Sequence, residues 1–383
     1  MTPIESSSPK TSSASADIRK SARTPGKATT AGTSRLAERF AARFAADFYR
    51  ATSTGLTVAS LGMGTYLGEC DDAEDERYAN ALSAGIRQGL NLLDTAINYR
   101  CQRSERAVGR AIQRAISAGT ASRDELVICT KGGYVPLEGA PPASRGEYDA
   151  YLDAEYFGRG VIAREDLVAG GHCLRPKFLA NQVERSRANL GLDCIDIFYL
   201  HNPEQQLDTL DRKYFASVMR GAFLEMEAQV DAGTISSYGL ATWNGFRVFA
   251  ANRSHLSLME LLSIAREAAG SSHHFRTIQL PINLAMTEAV RAPTQSRHGK
   301  NVSLLEVARD EGLSVVASAS LMQAQLTQNL PPQVTAMFPD LATDAQRAIA
   351  FVRSLPIASA LVGMRSTDHL AENISSAAGV IPG

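Results

Sequence analysis

The sequence lacks a long apolar run, an excess of either charge, and any clustering of its few cysteines. Forty Asp and Glu residues nearly balance 39 Lys and Arg, leaving a formal net charge of -1 over 383 residues. Nucleic-acid-binding domains carry a basic footprint, so no nucleic-acid partner is expected. No stretch approaches the roughly 20 apolar residues of a membrane helix, so no membrane partner is expected either. Cys70, Cys101, Cys129, Cys173 and Cys194 are odd in number and include no CxxC pair. That pattern fits reduced thiols in the cytoplasm better than a disulfide framework or a zinc site. HExxH is absent and His273-His274 has no third ligand nearby in the chain, so no metal is expected.

What is present is ample material for a buried core: 44% of the residues are hydrophobic, and the length suits one large domain or two ordinary ones. Residues 1–34 differ from the rest. They are rich in Ser, Thr, Ala, Pro and basic residues and poor in large apolar ones. Too little apolar surface is available there to offset the entropy of ordering, which predicts a disordered tail. The composition also resembles an organelle transit peptide, but contains no apolar segment of a secretory signal. Leu36, Phe40 and Phe44, spaced by four, then predict a short amphipathic helix leading into a domain at 35–383.

Beyond residue 50, short apolar runs alternate with helical patterns. Strands are predicted at 58–61, 90–94, 126–131, 195–201, 237–242, 278–282, 313–318 and 360–364. Ser53-Thr54-Gly55 reads as a turn before the first of them, as in a capping hairpin. Acidic residues at 71, 72, 74 and 75 suit a helix start, where the macrodipole favours negative charge. Ser104-Glu105 reads as a helix cap and Pro176 as a first-turn residue. Gly89, Gly191, Gly233 and Gly312 close helices, where a left-handed residue is commonly needed. Eight strand–helix units predict an α/β fold, a (β/α)8 TIM barrel, rather than a doubly wound sheet. The glycine phrase at 62–68 is one residue too long for a dinucleotide fingerprint. The connection at 134–175 exceeds the length of ordinary loops and follows the third strand; Tyr148, Tyr151, Tyr156 and Phe157 give it the material of a folded lid or an oligomer-forming insertion.

In such a barrel, chemistry gathers at the C-terminal ends of the strands. Reading those ends gives Asp94, Tyr99 five residues on, Lys131 and His201. Each has an ordinary explanation alone, but the mouths of three consecutive strands place all four in one pocket. A free phenol with a pKa near 10 is a poor acid and base at neutral pH, and an adjacent ammonium lowers that value. Asp94 would hold Lys131 charged, and His201 would meet the substrate oxygen, as in acid–base catalysis at a carbonyl/alcohol pair.

The phrases LGMGTY at 61–66, LLDTAINY at 92–99, CTKGG at 129–133, SRANLGLDCIDIFYLHNP at 186–203, GLATW at 239–243, the stretch 279–283 and ALVGMRSTDHLAEN at 360–373 resemble the aldo-keto reductases, in family order. The resemblance implies an NAD(P)H-dependent oxidoreductase interconverting the carbonyl of an aldehyde, ketone or sugar with an alcohol by direct hydride transfer. It implies Tyr99 as general acid/base, tuned by Lys131 and Asp94, with His201 orienting the carbonyl. It further implies cofactor contacts from Gly64, Thr65, Asp94, Thr242, Gln279, Ser318, Leu321, Gly363, Arg365, His369 and Asn373, with Ser366 beside the adenosine end, and substrate contacts from Tyr66 and Trp243. NADP(H) stands ahead of NAD(H), and the partner is a small carbonyl or alcohol.

The sequence departs from the family where the cofactor is expected. Ala241-Thr242 replaces a Ser-Asn pair, Ser318 replaces a stacking aromatic, and Gly363 and His369 stand where NADPH-selective relatives carry Lys and Arg. Trp243, the single tryptophan, is a candidate replacement for the aromatic. Two other readings compete: a cofactor-binding regulatory barrel without turnover, and a Schiff-base lyase using Lys131. The lyase needs a depressed lysine pKa, which Asp94 opposes. The sequence is silent on oligomeric state.

Overall fold

Eight parallel strands close on themselves in chain order: β1 (Leu61–Gly64), β2 (Leu92–Asp94), β3 (Val127–Gly132), β4 (Ile195–His201), β5 (Ile235–Ala241), β6 (Phe275–Pro281), β7 (Ser314–Ser318) and β8 (Ser359–Gly363). The computed structural model describes residues 23–377. Each predicted strand run coincides with a barrel strand to within a few residues, the first being shared between β1 and a hairpin. That hairpin pairs Tyr49–Ala51 with Thr57–Ala59 around a turn in which Gly55 has φ 80°. Ser53 donates to Ser314 Oγ and to the Arg276 carbonyl, at the starts of β7 and β6, so the hairpin plugs the N-terminal end of the barrel.

Two apolar layers follow from the strand period of two. Leu92, Val127, Ile197, Val316 and Leu361 fill the lumen under Val58 of the hairpin. Leu93, Ile128, Phe198, Leu240, Ile278 and Val362 face the surrounding helices. Two residues beyond each lumen residue lies the mouth: Asp94 above Leu92, Lys131 above Cys129, His201 above Tyr199, Ser318 above Val316 and Gly363 above Leu361. The titratable members therefore fall on β2 to β4, and the smallest side chains on β7 and β8.

The helices begin and end largely where local chemistry dictates. Asp71 caps Asp72–Arg87 by accepting from Glu74 N, Pro176 opens Pro176–Leu190, and Gly191 closes it at φ 67°. Ser104 is a correction. The helix Arg103–Ser117 is preceded by left-handed Gln102, and Ser104 sits inside its first turn, donating to the Thr65 carbonyl at 2.9 Å. A cap accepts an amide of its own helix, whereas this hydroxyl is drawn to a neighbouring loop.

The boundary of the tail is also corrected. Within the segment expected to be disordered, Thr24 N donates to the Gly191 carbonyl at 2.8 Å, and Ala28 N donates to buried Asp196 Oδ1 at 2.7 Å. Thr29 caps the helix Thr30–Phe40, and Leu36 is fully buried. Gly32 packs so closely on Asp124 that an added Cβ would fall 2.2 Å from its carbonyl oxygen. Small polar residues are ordered here by partners more than 80 residues away, which local composition cannot reveal. The remainder of the expected tail, 1–22, lies outside the described residues.

The long connection after β3 folds around a small core of its own, made by Val135, Leu152, Tyr156, Ile162, Cys173 and Phe178. Tyr148 and Tyr151 donate to the carbonyls of Gly170 and Pro136, at 2.7 and 2.6 Å. Among the described residues, no helix is long and apolar enough to cross a membrane.

Candidate active site

The structure brings Asp94, Tyr99, Lys131 and His201 together at the barrel mouth. Lys131 Nζ lies 2.5 Å from Asp94 Oδ1 and donates to the Thr95 carbonyl at 2.8 Å. It also sits 5.0 Å from the centroid of the Tyr99 ring. The Tyr99 ring meets His201 edge-on at 5.9 Å and Tyr66 at 5.0 Å. Asp94 and Lys131 are buried, whereas Tyr99 and His201 are half-buried and line the opening.

Electrostatics follow from this burial gradient. Burial opposes the Lys131 ammonium, but Asp94 and Tyr99 outweigh it and hold its pKa above the ordinary lysine value. Burial pushes the Asp94 carboxyl upward against the pull of Lys131 and Gln279. The pair is ionised, because the ammonium has two short acceptors and the carboxylate two donors. Tyr99 departs from the sequence expectation: burial raises its pKa, and Lys131 offsets only part of the rise. The reason is that a phenolate loses hydration before it gains the ammonium. The phenol is therefore held neutral. His201 is held neutral too, its pKa lowered well below the usual histidine value by burial, Lys131 and His172.

Several supporting residues were not legible in the sequence. His172, fully buried within the long connection, bonds through Nε2 to the His201 carbonyl at 2.7 Å, while Gln206 Nε2 meets its Nδ1 at 2.7 Å. The Gln206 amide nitrogen can only donate, so Nδ1 accepts and Nε2 donates. Burial lowers the His172 pKa to about 4. Tyr134 stacks edge-on against His201 at 5.0 Å, accepts from Asn202 Nδ2 at 2.9 Å and donates to Gln205 Oε1 at 2.5 Å. Glu204 Oε1 accepts the amides of Trp243, Asn244 and Gly245 at 2.7, 2.9 and 3.2 Å, fixing the loop after β5. Tyr134, Asn202, Gln205, Trp243 and Asn244 line a cavity of about 190 Å³ beside His201. The adjacency of Asn202 to His201 was the one available signal; the rest depends on long-range packing.

The residues expected at a nucleotide are distributed as follows. Gly64, Ser318 and Gly363 stand at the ends of β1, β7 and β8, and a Cβ added at Gly363 would meet nothing within 4 Å. Thr65 is buried and donates to the Asp94 carbonyl at 3.2 Å, so its hydroxyl is engaged by the backbone of β2. Gln279 Nε2 donates to Asp94 Oδ2 at 2.8 Å. Thr242 Oγ1, Ser320 Oγ and His201 Nδ1 are buried without a hydrogen-bond partner. Leu321 is half-buried and begins a loop in which Met322, Gln323 and Ala324 are consecutive left-handed residues. Arg365 is exposed and pairs with Glu74 at 3.2 Å, and His369 is exposed, whereas Asn373 is buried. Trp243 lines the cavity beside Tyr134 with nearly half its surface exposed.

A closed eight-stranded parallel barrel, with a buried ion pair beneath a phenol at its mouth, places the protein among the (β/α)8 barrels. The Aldo/keto reductase family model matches residues 60–340, and the chain belongs to that family. It is 29% identical over 196 residues to D-threo-aldose 1-dehydrogenase of a Pseudomonas species, covering 50% of this chain and 52% of that protein. It is 23% identical over 292 residues to the aldo-keto reductase YhdN of Bacillus subtilis, covering 76% and 66%. The chain spans about half the length of the first two curated relatives it matches. The fold is shared with an aldo/keto reductase from Klebsiella pneumoniae in complex with NADP and acetate, at a TM-score of 0.57 and 21% identity, covering 87% and 90% of the two chains.

Proposed function

We propose that this protein is an NAD(P)H-dependent oxidoreductase that interconverts a small-molecule carbonyl and the corresponding alcohol, with Tyr99 as the proton-transfer residue. The observation carrying this reading is the buried Lys131–Asp94 pair set beneath a neutral Tyr99, with neutral His201 on the facing strand end. In the reductive direction Tyr99 gives its proton to the oxygen that becomes the alcohol, and the phenolate left behind is stabilised by Lys131. In the oxidative direction the same phenolate accepts the proton back. His201, pinned by the His172–Gln206 relay through its backbone, orients the oxygen.

The residues present fit a nicotinamide dinucleotide, which supplies or accepts a hydride at the carbonyl carbon when bound. The partnerless hydroxyls of Thr242 and Ser320 are buried polar groups that await an acceptor or donor. Exposed Arg365 stands at the start of the helix Thr367–Ser375, a favourable place for phosphate. NADP(H) is the favoured cofactor, in keeping with the Klebsiella protein that binds NADP. The polar cavity with Trp243, lined by amides, hydroxyls and the carboxylates of Glu204 and Asp208, suits a small polar aldehyde, ketone or sugar. Five free cysteines support a reducing, cytoplasmic setting. The ammonium held by Asp94 disfavours the lyase reading, because Schiff-base formation needs a neutral amine.

The test is oxidation of NADPH and NADH by purified protein with aldehydes, ketones and sugars, with Tyr99→Phe in parallel. Turnover in the wild type that is lost on removing one hydroxyl supports the reading. Nucleotide binding without turnover of any substrate would replace it with the regulatory one.

A further inference from the structure

Two cysteines meet beside the acid–base centre on different loops. Cys70 belongs to the loop after β1 and Cys101 to the loop after β2, yet their sulfur atoms are 3.9 Å apart. Cys70 is half-exposed and Cys101 buried. The contact is held from both sides, because Arg100, immediately before Cys101, clamps the residues flanking Cys70. Its Nε donates to the Glu69 carbonyl at 2.7 Å and its Nη2 to the Asp71 carbonyl at 3.3 Å. Its Nη2 is also paired with Asp75 at 2.6 Å, both side chains being buried. Arg100, Cys101 and Gln102 are consecutive non-glycine residues with φ of 47°, 54° and 70°. Such left-handed runs cost free energy and persist where the surroundings over-determine them, often at functional sites.

We propose that Cys70 and Cys101 form a reversible disulfide under peroxide, and that this bond regulates the site. A disulfide needs sulfurs about 2.0 Å apart, so the pair closes by a shift shared between the side-chain torsions and the two loops, without refolding. The half-exposed Cys70 thiol is the one that meets the oxidant. Its sulfur attacks one peroxide oxygen, the O–O bond breaks, and water leaves, giving a sulfenic acid at Cys70. The Cys101 sulfur then displaces the hydroxyl from that sulfur as a second water. Two thiols lose two electrons and two hydrogens, and one peroxide is reduced to two waters. A dithiol reductant reverses the step by exchange. Burial and the neighbouring Cys70 thiol push the Cys101 pKa up. Conversion of Cys70 to sulfenic acid removes the second of these causes.

The consequence for catalysis rests on the oxidoreductase reading. Tyr66 lies four residues before Cys70 and Tyr99 two before Cys101, and their rings touch at 5.0 Å. Drawing the two sulfurs together moves the loops that set this contact, and a displacement of an ångström at a reacting group costs on the order of ten- to a hundredfold in rate.

The experiment treats full-length wild type, Cys70→Ser and Cys101→Ser with stoichiometric hydrogen peroxide, followed by non-reducing digestion and mass spectrometry. Wild type should lose two hydrogens and yield a linked peptide joining Cys70 to Cys101, restored by dithiothreitol. Cys101→Ser should instead leave a dimedone-trappable sulfenic acid at Cys70, and Cys70→Ser should yield neither. Absence of the linked peptide in wild type, or linkage of either cysteine to a different one, overturns the site. This readout needs no turnover, so a failed oxidoreductase reading leaves it standing. Turnover and NADPH affinity, the latter through Trp243 fluorescence, are then compared before and after oxidation. A reversible fall in either, absent from Cys70→Ser, supports regulation, and a linked protein unchanged in both overturns it.

Discussion

Gln279 donates its side-chain amide to Asp94 across the barrel mouth, Nε2 to Oδ2 at 2.8 Å. Lys131 takes the other carboxylate oxygen, so the charge at the centre of the site is bonded from β6 and β3 at once. This joins a residue expected at the cofactor to the residue proposed to tune the proton donor. Gln279→Ala leaves Asp94 Oδ2 buried with one donor fewer. We expect a loss of about 1–3 kcal/mol in urea unfolding, together with weaker nucleotide binding by fluorescence titration.

Asp94→Asn removes the partner that holds Lys131 charged. Breaking a buried pair from one side costs roughly 3–5 kcal/mol, because an uncompensated charge remains. Lys131 is raised in the folded protein, so its contribution is fully present below the unfolded lysine pKa and is lost as pH rises through the folded value. The wild type should therefore lose stability at strongly alkaline pH, and the variant should lack that step in pH-dependent urea unfolding.

Acid should act through the buried histidines. His172 titrates near 4 in the fold, whereas an unfolded histidine titrates near 6.5. Between these values the unfolded chain binds the extra proton, so stability falls as pH falls, by about 3 kcal/mol from this group over that window. His201 adds to the same trend. His172→Gln should flatten the slope of unfolding free energy between those two pH values; an unchanged slope would show that the relay behind His201 is not the acid-sensitive element.

Truncation separates composition from structure at the N-terminus. Deleting residues 1–34 removes the Ala28 amide from Asp196 Oδ1 and the capped start of the helix Thr30–Phe40. Asp196 is buried and also pairs with Arg123. The deletion should lower the melting temperature measured by circular dichroism, whereas a chain beginning at residue 23 retains these contacts and should melt higher than the shorter one.

The barrel order, the eight strands and the meeting of Asp94, Tyr99, Lys131 and His201 at the mouth were legible because they rest on local rules. Apolar runs separated by capped helices specify strands in sequence, and a period of two sends Lys131 inward once Val127 and Cys129 line the lumen. Tertiary structure alone decided the rest. Whether Tyr99 gains or loses acidity depends on how completely the site excludes water, and burial outweighed Lys131. The His172 relay, the Glu204 clamp on the Trp243 loop, the ordering of 23–34 and the contact of Cys70 with Cys101 all join residues at least 29 apart in the chain. Their energies come from desolvation and from partners brought by the closed barrel, and neither is written in any local stretch of the sequence.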